Sequence, residues 1–177
     1  FFFKQKTAYE IKECDWSSDV CSSDLRYSVL TEVIDESSQK VLVFVPFKHV
    51  IGILSQKLTD DGYTNEIISG DVSAHKRTDI FHRFQNTPDP KVLIIQPQAA
   101  AHGVTLTAAN TVVWWGPTAS LETYAQANAR VHRSGQRHPS TVVQLTGSGV
   151  EQHVYNLLDK KIDVHSKVVD LYKDLLA

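Results

Sequence analysis

The sequence has 177 residues, 42% of them hydrophobic, which is enough for one globular domain with a buried core. A net charge of −2 argues against a strong free-standing nucleic-acid binder, because phosphate contacts from Lys and Arg dominate that affinity. No apolar run approaches the roughly 18 residues of a membrane-spanning helix, and the apolar start is too short for a signal peptide. We therefore expect a soluble domain without a membrane partner.

The first 25 residues differ from the rest of the chain. They show no helical or strand period, and they contain both cysteines, Cys14 and Cys21. Codons that can encode residues 4–10 and 15–24 resemble, in one frame, a widely used sequencing adapter. The alternative is a natural disordered tail with two redox cysteines. We predict an artefactual or disordered leader over residues 1–25 and a genuine domain over residues 26–177.

The sequence also contains no methionine, so we expect it to be a processed or truncated piece of a longer protein. Residues 26–177 contain no cysteine, and their histidines form no close pair at zinc-ligand spacing. We therefore predict no metal site within this domain.

Apolar, β-branched runs alternate with helix-length stretches along the domain. Strands are predicted over residues 41–45, 66–68, 92–95, 111–115 and 141–145. Helices are predicted over residues 49–58, 74–85 and 121–132, and a helix or helix pair over residues 150–176. This alternation predicts an α/β domain with a parallel sheet covered by helices on both faces and a C-terminal helical extension.

Ligands of open parallel sheets bind beyond the carboxyl ends of the strands, so chemistry is expected in the loops that follow them. None of these loops carries the G-x-x-x-x-G-K-[ST] or G-x-G-x-x-G pattern that cradles phosphates. The domain therefore lacks a P-loop of its own.

The most specific segment is residues 126–136, Gln-Ala-Asn-Ala-Arg-Val-His-Arg-Ser-Gly-Gln. On a helix at about 100° per residue, Gln126, Arg130 and Arg133 would share one face. Two arginines and an amide displayed together suit an anionic ligand, and a phosphate chain is the obvious candidate. The alternative is a solvated basic helix face with surface salt bridges.

This segment resembles motif VI of the Swi/Snf-like superfamily 2 DNA-dependent ATPases, Gln-Ala-x-Gly-Arg-x-His-Arg-x-Gly-Gln, with Ala129 in place of the glycine. The trailing Gly-Gln pair separates it from the DEAD-box RNA helicases. The resemblance implies that Arg130 and Arg133 are the catalytic arginine fingers. It also implies that both arginines and Gln126 bind ATP held by a first lobe.

Residues 99–113 resemble motif V of the same family, a small-residue loop that leads into a strand. The resemblance implies that Gly103 and Thr105 bind ATP and that Gln98 contacts DNA, since small residues allow close approach to phosphates. The segment departs from the family pattern at Pro97 and Gln98, where Thr-Arg is common, and at Thr105. The alternative is a plain strand-to-helix turn.

Residues 40–47 resemble motif IV, and residues 69–84 resemble the adjoining family block. The resemblance implies DNA phosphate contacts by Lys48, Ser69 and Gly70. We interpret Trp114 and Trp115 as a buried strand end rather than a base-stacking platform. With the Gly-Pro that follows, this pair also resembles small, phage-type members of the family.

The resemblance extends over residues 26–176 and implies a RecA-like three-layer lobe, the second lobe of an ATP-dependent DNA translocase or helicase. The implied cofactor is ATP with Mg²⁺, whose ligands would lie on the missing first lobe, so the chain alone should be inactive. The implied partners are that lobe and single- or double-stranded DNA. The location would be the cytoplasm of a bacterial or phage-infected cell, or the nucleus of a eukaryote.

Two other classes of function compete with this interpretation. One is a non-catalytic DNA- or protein-docking module derived from a helicase lobe, which the altered motif V favours and the arginine pair opposes. The other is a small-molecule α/β enzyme, which is disfavoured because the sequence offers neither a nucleophile and base pair nor a glycine-rich cofactor loop.

Overall fold

The computed structural model describes residues 2–4, 19–101, 106–131, 136 and 138–176, and it describes side chains over residues 24–99, 106–131, 136 and 138–162. The elements in chain order are β1 (Phe2–Lys4), α1 (Asp19–Glu36), β2 (Lys40–Phe44), α2 (Lys48–Asp60), β3 (Asn65–Ile68), α3 (Ala74–Asn86), β4 (Val92–Ile95), a 3₁₀ helix (Pro97–Ala101), β5 (Ala109–Trp114), α4 (Leu121–Asn128), β6 (Thr141–Gln144) and α5 (Gly149–Leu176).

The strands form one six-stranded sheet in the order β1-β6-β5-β2-β4-β3. Every pairing between neighbours is parallel. All five predicted strands are present, and the predicted α/β fold with a RecA-like parallel sheet is confirmed. Strand β2 lies centrally, where Val41 pairs with Val92 of β4 on one side and with Thr111 of β5 on the other.

The core lies on both faces of the sheet, because successive side chains of a strand point to opposite sides. On β2, Leu42 and Phe44 pack in a cluster with buried residues of α3, α4 and α5. Val41 and Val43 pack in a second cluster with buried residues of α1 and α2. Burying one such side chain contributes about 1.5–3 kcal/mol, so β2, which is buried on both faces, contributes strongly to the stability of the fold.

The helix boundaries follow from local capping. Helix α3 begins after Ser73, whose side chain accepts a hydrogen bond from the backbone N–H of Lys76. Helix α2 is followed by Gly62 at a φ of 85°, a left-handed conformation that favours glycine. The backbone N–H of Tyr63 then donates to the carbonyl of Leu58 at 2.8 Å. The chain thus reverses within a few residues to begin β3.

Two elements begin within residues 1–25, where the sequence shows no period. Strand β1 pairs with β6, with Phe3 opposite Val142. Helix α1 begins at Asp19 and continues to Glu36, across the predicted boundary between residues 25 and 26. A three-residue strand is too short to display an alternating pattern, so its presence could not be anticipated. The division of the chain at residue 26 stays a prediction.

Helix α5 closes the domain as one continuous helix, which resolves the choice between a helix and a helix pair. Its residues Tyr155 and Leu158 pack into the same cluster as Leu42. Across the described residues, no helix combines the length and apolar character needed to cross a membrane.

Candidate functional site

The described site residues lie on several elements of the fold. Lys48, Ser69, Gly70 and Gln98 follow β2, β3 and β4, three neighbouring strands, so they lie at the carboxyl edge of the sheet. Arg130 instead lies in a turn after α4, where its carbonyl accepts a hydrogen bond from the backbone N–H of Leu106 at 3.1 Å. We call residues 129–131 the arginine turn and residues 106–109 the lead-in turn of β5. The carboxyl-edge group consists of Lys48, Ser69, Gly70 and Gln98.

Helix α4 ends earlier than predicted, at Asn128 rather than residue 132. The N–H of Arg130 donates to the carbonyl of Ala127 at 3.2 Å, and the N–H of Val131 donates to that of Asn128 at 3.3 Å. Bonds between residues three apart tighten the last turn into a 3₁₀ form. Arg130 thus lies two residues beyond the regular helix, and its sharing of one face with Gln126 stays a prediction.

Two further motif positions, Gln126 on this helix and Ala129 directly after it, are described in detail. Ala129 adopts φ −66° and ψ −11°, a conformation open to every residue, so the replacement of glycine introduces no strain. Gln126 is exposed on α4, and its amide donates to the Glu122 carboxylate one turn earlier at 2.9 Å. An incoming phosphate would have to draw Gln126 away from this acidic neighbour.

A buried polar network holds the C-terminal end of α4 against the sheet. The indole N–H of Trp114 donates to Oδ1 of Asn128 at 2.9 Å. The amide of Gln144 donates to the Tyr124 hydroxyl at 2.6 Å, and this hydroxyl donates to Asp159 at 3.2 Å. Burial raises the pKa of Tyr124 above its ordinary value of 10.0, and the neighbouring Asp159 carboxylate adds to the rise. The phenol therefore stays protonated and able to donate.

The prediction that Trp114 and Trp115 form a buried strand end is confirmed, since they are 0% and 7% exposed. The Trp114 ring stacks on Phe44 with centroids 4.8 Å apart. Trp115 lies beneath the guanidinium of Arg26, at 5.7 Å from the ring centroid. Both indole rings therefore pack against other side chains of the domain.

The carboxyl-edge group carries a surface ion pair. Lys48 begins α2, and its ammonium lies 2.6 Å from the carboxylate of Asp71, with 63% and 68% of the two side chains exposed. A pair this exposed contributes about 0–1 kcal/mol, so a phosphate can compete for the lysine. Asp71 was not predicted as a site residue, and sequence gives no signal for the pair because β3 lies between its members.

The loop after β3 satisfies part of its own hydrogen bonding. The backbone N–H of Gly70 donates to Oε1 of Gln96 at 3.2 Å, and Ser69 is only 8% exposed. The guanidinium of Arg77 donates to the carbonyl of Val72 at 2.8 Å and so ties the loop to α3. Gln96 is a residue that the sequence analysis missed. Its signal is a polar residue directly after the wholly buried strand Val92–Ile95.

Gln98 is exposed in the 3₁₀ helix that follows β4. Because β4 pairs with β3, this helix and the loop after β3 follow neighbouring strands. Gly103, Thr105 and Arg133, which the resemblance places at the nucleotide, lie outside the described residues. Among the residues that are described, no three His, Cys, Asp or Glu side chains come together where they could hold a metal ion.

The model of the helicase conserved C-terminal domain family matches residues 25–135 of this sequence. The chain belongs to this family. The helicase lobe is 28% identical over 142 residues to the chromatin-remodeling ATPase INO80 of Kluyveromyces lactis, covering 77% of this chain and 9% of that protein. It is 31% identical over 132 residues to chromodomain-helicase-DNA-binding protein 1-like of Mus musculus, covering 74% of this chain and 15% of that protein.

Among solved structures, the lobe resembles the C-terminal part of the Fun30 ATPase domain, with a TM-score of 0.70, 24% identity, and coverage of 75% of this chain and 45% of that one. It also resembles the C-terminal domain of the DEAD-box protein Dbp5, with a TM-score of 0.65, 23% identity, and coverage of 77% and 78%. The fold is therefore that of a RecA-like helicase lobe. Together with the sequence relatives, the family match identifies a C-terminal helicase lobe of the Swi/Snf-like superfamily 2 class.

Proposed function

We propose that this lobe supplies Arg130 and Arg133 as arginine fingers to ATP held on a first RecA-like lobe, while its carboxyl-edge group contacts the DNA backbone. The supporting observation is the fixed placement of Arg130. The Arg130 carbonyl accepts a hydrogen bond from the N–H of Leu106. Arg130 also follows the end of α4, which a buried hydrogen bond between Trp114 and Asn128 holds in place. A backbone held in this way presents the side chain with little reorganisation.

The chemistry of a guanidinium suits this role. It carries five N–H donors in a planar fork that matches phosphate oxygens, and it stays charged at every physiological pH. Charge spreads over the phosphoryl oxygens during transfer, and an arginine finger that stabilises this charge contributes about 10³ to 10⁵ in rate. Arg130 is half-buried, which lowers solvent competition for its donors.

ATP with Mg²⁺ is the cofactor that this proposal requires, and when bound it supplies the phosphoryl group that is transferred to water. Five residues of this lobe would bind and orient that group: Gln126, Arg130, Arg133, Gly103 and Thr105. The P-loop and the Mg²⁺-binding acid are expected on the first lobe, since the sequence has no such loop. We therefore expect the 177-residue chain alone to have no ATP turnover.

The DNA contacts would come from Lys48, Ser69, Gly70 and Gln98, which lie on three adjacent loops. Lys48 supplies the one full positive charge among them, and the Gly70 N–H would become available if Gln96 turned away. Phosphate contacts of this kind position a protein without reading sequence, and they suit single or double strands alike. We expect the protein to work where DNA is kept, in the nucleus of a eukaryote or the cytoplasm of a bacterial or phage-infected cell.

The experiment that tests the proposal joins this chain to its first lobe, encoded upstream or taken from a relative, and measures DNA-stimulated ATP turnover. Arg130→Ala is expected to lower kcat by about 10³ or more. Arg83→Ala is the matched control, because Arg83 is an exposed arginine paired with Glu66 at 2.7 Å on the outer face of α3, and it should leave kcat unchanged.

Two outcomes would contradict the proposal. One is a turnover in the Arg130→Ala protein equal to that of the Arg83→Ala control, which with retained DNA binding would favour the non-catalytic docking module. The other is robust ATP turnover by the 177-residue chain without any first lobe.

A further inference from the structure

Two glutamine side chains hold the lead-in turn of β5 from opposite sides. From α3, the Gln85 amide donates to Oγ1 of Thr107 at 3.0 Å, and its carbonyl oxygen accepts from the N–H of Ala108 at 3.2 Å. From beyond the arginine turn, the Gln136 amide donates to the carbonyl of Ala109 at 2.7 Å. Two side chains therefore satisfy backbone groups on the same four residues.

Only one of these glutamines also reaches the arginine turn. The amide nitrogen of Gln136 lies 3.4 Å from the carbonyl of Val131, while its carbonyl oxygen accepts from the N–H of His138 at 3.2 Å. One side chain thus connects the lead-in turn, the arginine turn and the segment that enters β6. Among the described residues, the hydrogen bonds of Gln85 go to Thr107 and Ala108 of the lead-in turn.

We propose that Gln136 is a positioning residue that fixes the arginine turn to the lead-in turn, so that Arg130 reaches ATP in one geometry. This inference rests on the proposed role of Arg130. The direct hydrogen bond between the two turns runs from the N–H of Leu106 to the carbonyl of Arg130 at 3.1 Å, and Leu106 and Val131 also pack in one core cluster. The short Gln136 bond to Ala109 and its longer contact with Val131 add a second, directional attachment beside the first.

The consequence for catalysis is a loss of alignment rather than of binding. Displacing a reacting group by about 1 Å can lower a rate by about 10²-fold without changing the groups present. Such a change lowers kcat and leaves the KM for ATP unaltered, because the lost interaction is made in the transition state. Simple destabilisation of the lobe would instead lower the amount of active enzyme and its Tm together.

The test compares Gln136→Met with Gln85→Met in the two-lobe enzyme, with ATP turnover and thermal unfolding measured for each. Methionine keeps the length of glutamine and removes both polar atoms. We expect Gln136→Met to lower kcat about 10²-fold with KM for ATP within about twofold, and Gln85→Met to leave kcat within about twofold. Gln136→Asn, which keeps the amide and shortens its reach, should also lower kcat and serves if the methionine variant fails to fold.

The background of Arg130→Ala separates this inference from the proposed function. If Gln136 acts through Arg130, adding Gln136→Met to Arg130→Ala lowers kcat no further. Equal losses of kcat in the two methionine variants, or a further loss on the Arg130→Ala background, would overturn the inference while leaving the arginine finger in place. Full turnover in Arg130→Ala itself would overturn both.

Discussion

The arginine turn and the carboxyl-edge group are held by different kinds of interaction. The helix leading to Arg130 is fixed by the buried bond between Trp114 and Asn128 and by backbone contact with Leu106. The carboxyl-edge group is held by an exposed ion pair at Lys48 and by a side-chain amide on Gly70. One region is attached through the core and the other through the surface.

This difference has an energetic meaning. A buried donor or acceptor that loses its partner destabilises the fold by about 1–3 kcal/mol, whereas an exposed ion pair is worth about 0–1 kcal/mol. The arginine turn is thus costly to move, which fits the arginine-finger role that we propose for it. The carboxyl-edge group can exchange its internal partners for ligand oxygens at small cost, which fits the reversible DNA contact that we propose for it.

The largest effect on stability is expected at the buried attachment of α4. Asn128→Ala leaves the Trp114 indole N–H without its acceptor and should lower the free energy of unfolding by about 1–3 kcal/mol in urea denaturation. Asn156→Ala is the control, because Asn156 is exposed on α5 and bonded only near the surface to Gln152. If Asn128→Ala lowers the free energy of unfolding no more than Asn156→Ala does, the buried attachment of α4 is no stronger than a surface hydrogen bond.

A smaller effect, on DNA affinity rather than stability, is expected at the carboxyl edge. Lys48→Ala should weaken DNA binding by the two-lobe enzyme and reduce the slope of log affinity against log salt by about 1. Asp71→Asn should strengthen binding, because it removes the carboxylate that competes for the Lys48 ammonium. Both variants should unfold within about 0.5 kcal/mol of the parent. Unchanged affinity in both would exclude Lys48 from the DNA surface.

The smallest effect is expected from alkaline titration of the buried network. Because the pKa of Tyr124 is raised in the folded state above 10.0, its contribution to stability is complete below that pH. It declines as the pH rises further, since the unfolded phenol ionises and the folded one does not. Tyr124→Phe should therefore reduce the fall in unfolding free energy between about pH 9 and 11.

Tyr63→Phe is the matched control for this titration. Tyr63 lies nearer the surface, and its pKa is raised chiefly by its hydrogen bond to Asp35. The same substitution there should change the alkaline slope less, because solvent screens the interaction. Equal changes of the alkaline slope in the two variants would indicate that burial of Tyr124 does not increase its contribution to the pH dependence of stability.

Sequence predicted the sheet well because buried parallel strands are continuous apolar runs. Val92–Ile95 is an example, since all four residues are buried and no polar residue interrupts them. A run of this type predicts a strand that is covered on both faces, independently of the loops around it.

Sequence reasoning failed where a distant part of the chain decides the local structure. The periodic pattern continues past Asn128, but the carbonyl of Arg130 accepts from Leu106, 24 positions earlier, and the regular helix does not continue. In the sequence, Gln136 is recognisable only as the last residue of the motif VI resemblance. Its hydrogen bond to the carbonyl of Ala109 spans 27 residues. Hydrogen bonds of this kind leave no periodic trace, so only a structure can reveal them.

The pairing of β1 with β6 has a consequence for how the molecule behaves in solution. Residues 2–4 occupy one side of Thr141–Gln144, and β5 occupies the other. In a chain shortened to begin at Asp19, the outward N–H and C=O groups of β6 would have no strand beside them. Exposed groups of this kind template pairing with a second molecule. The shortened protein should therefore self-associate more than the full chain does as concentration rises, which light scattering would measure.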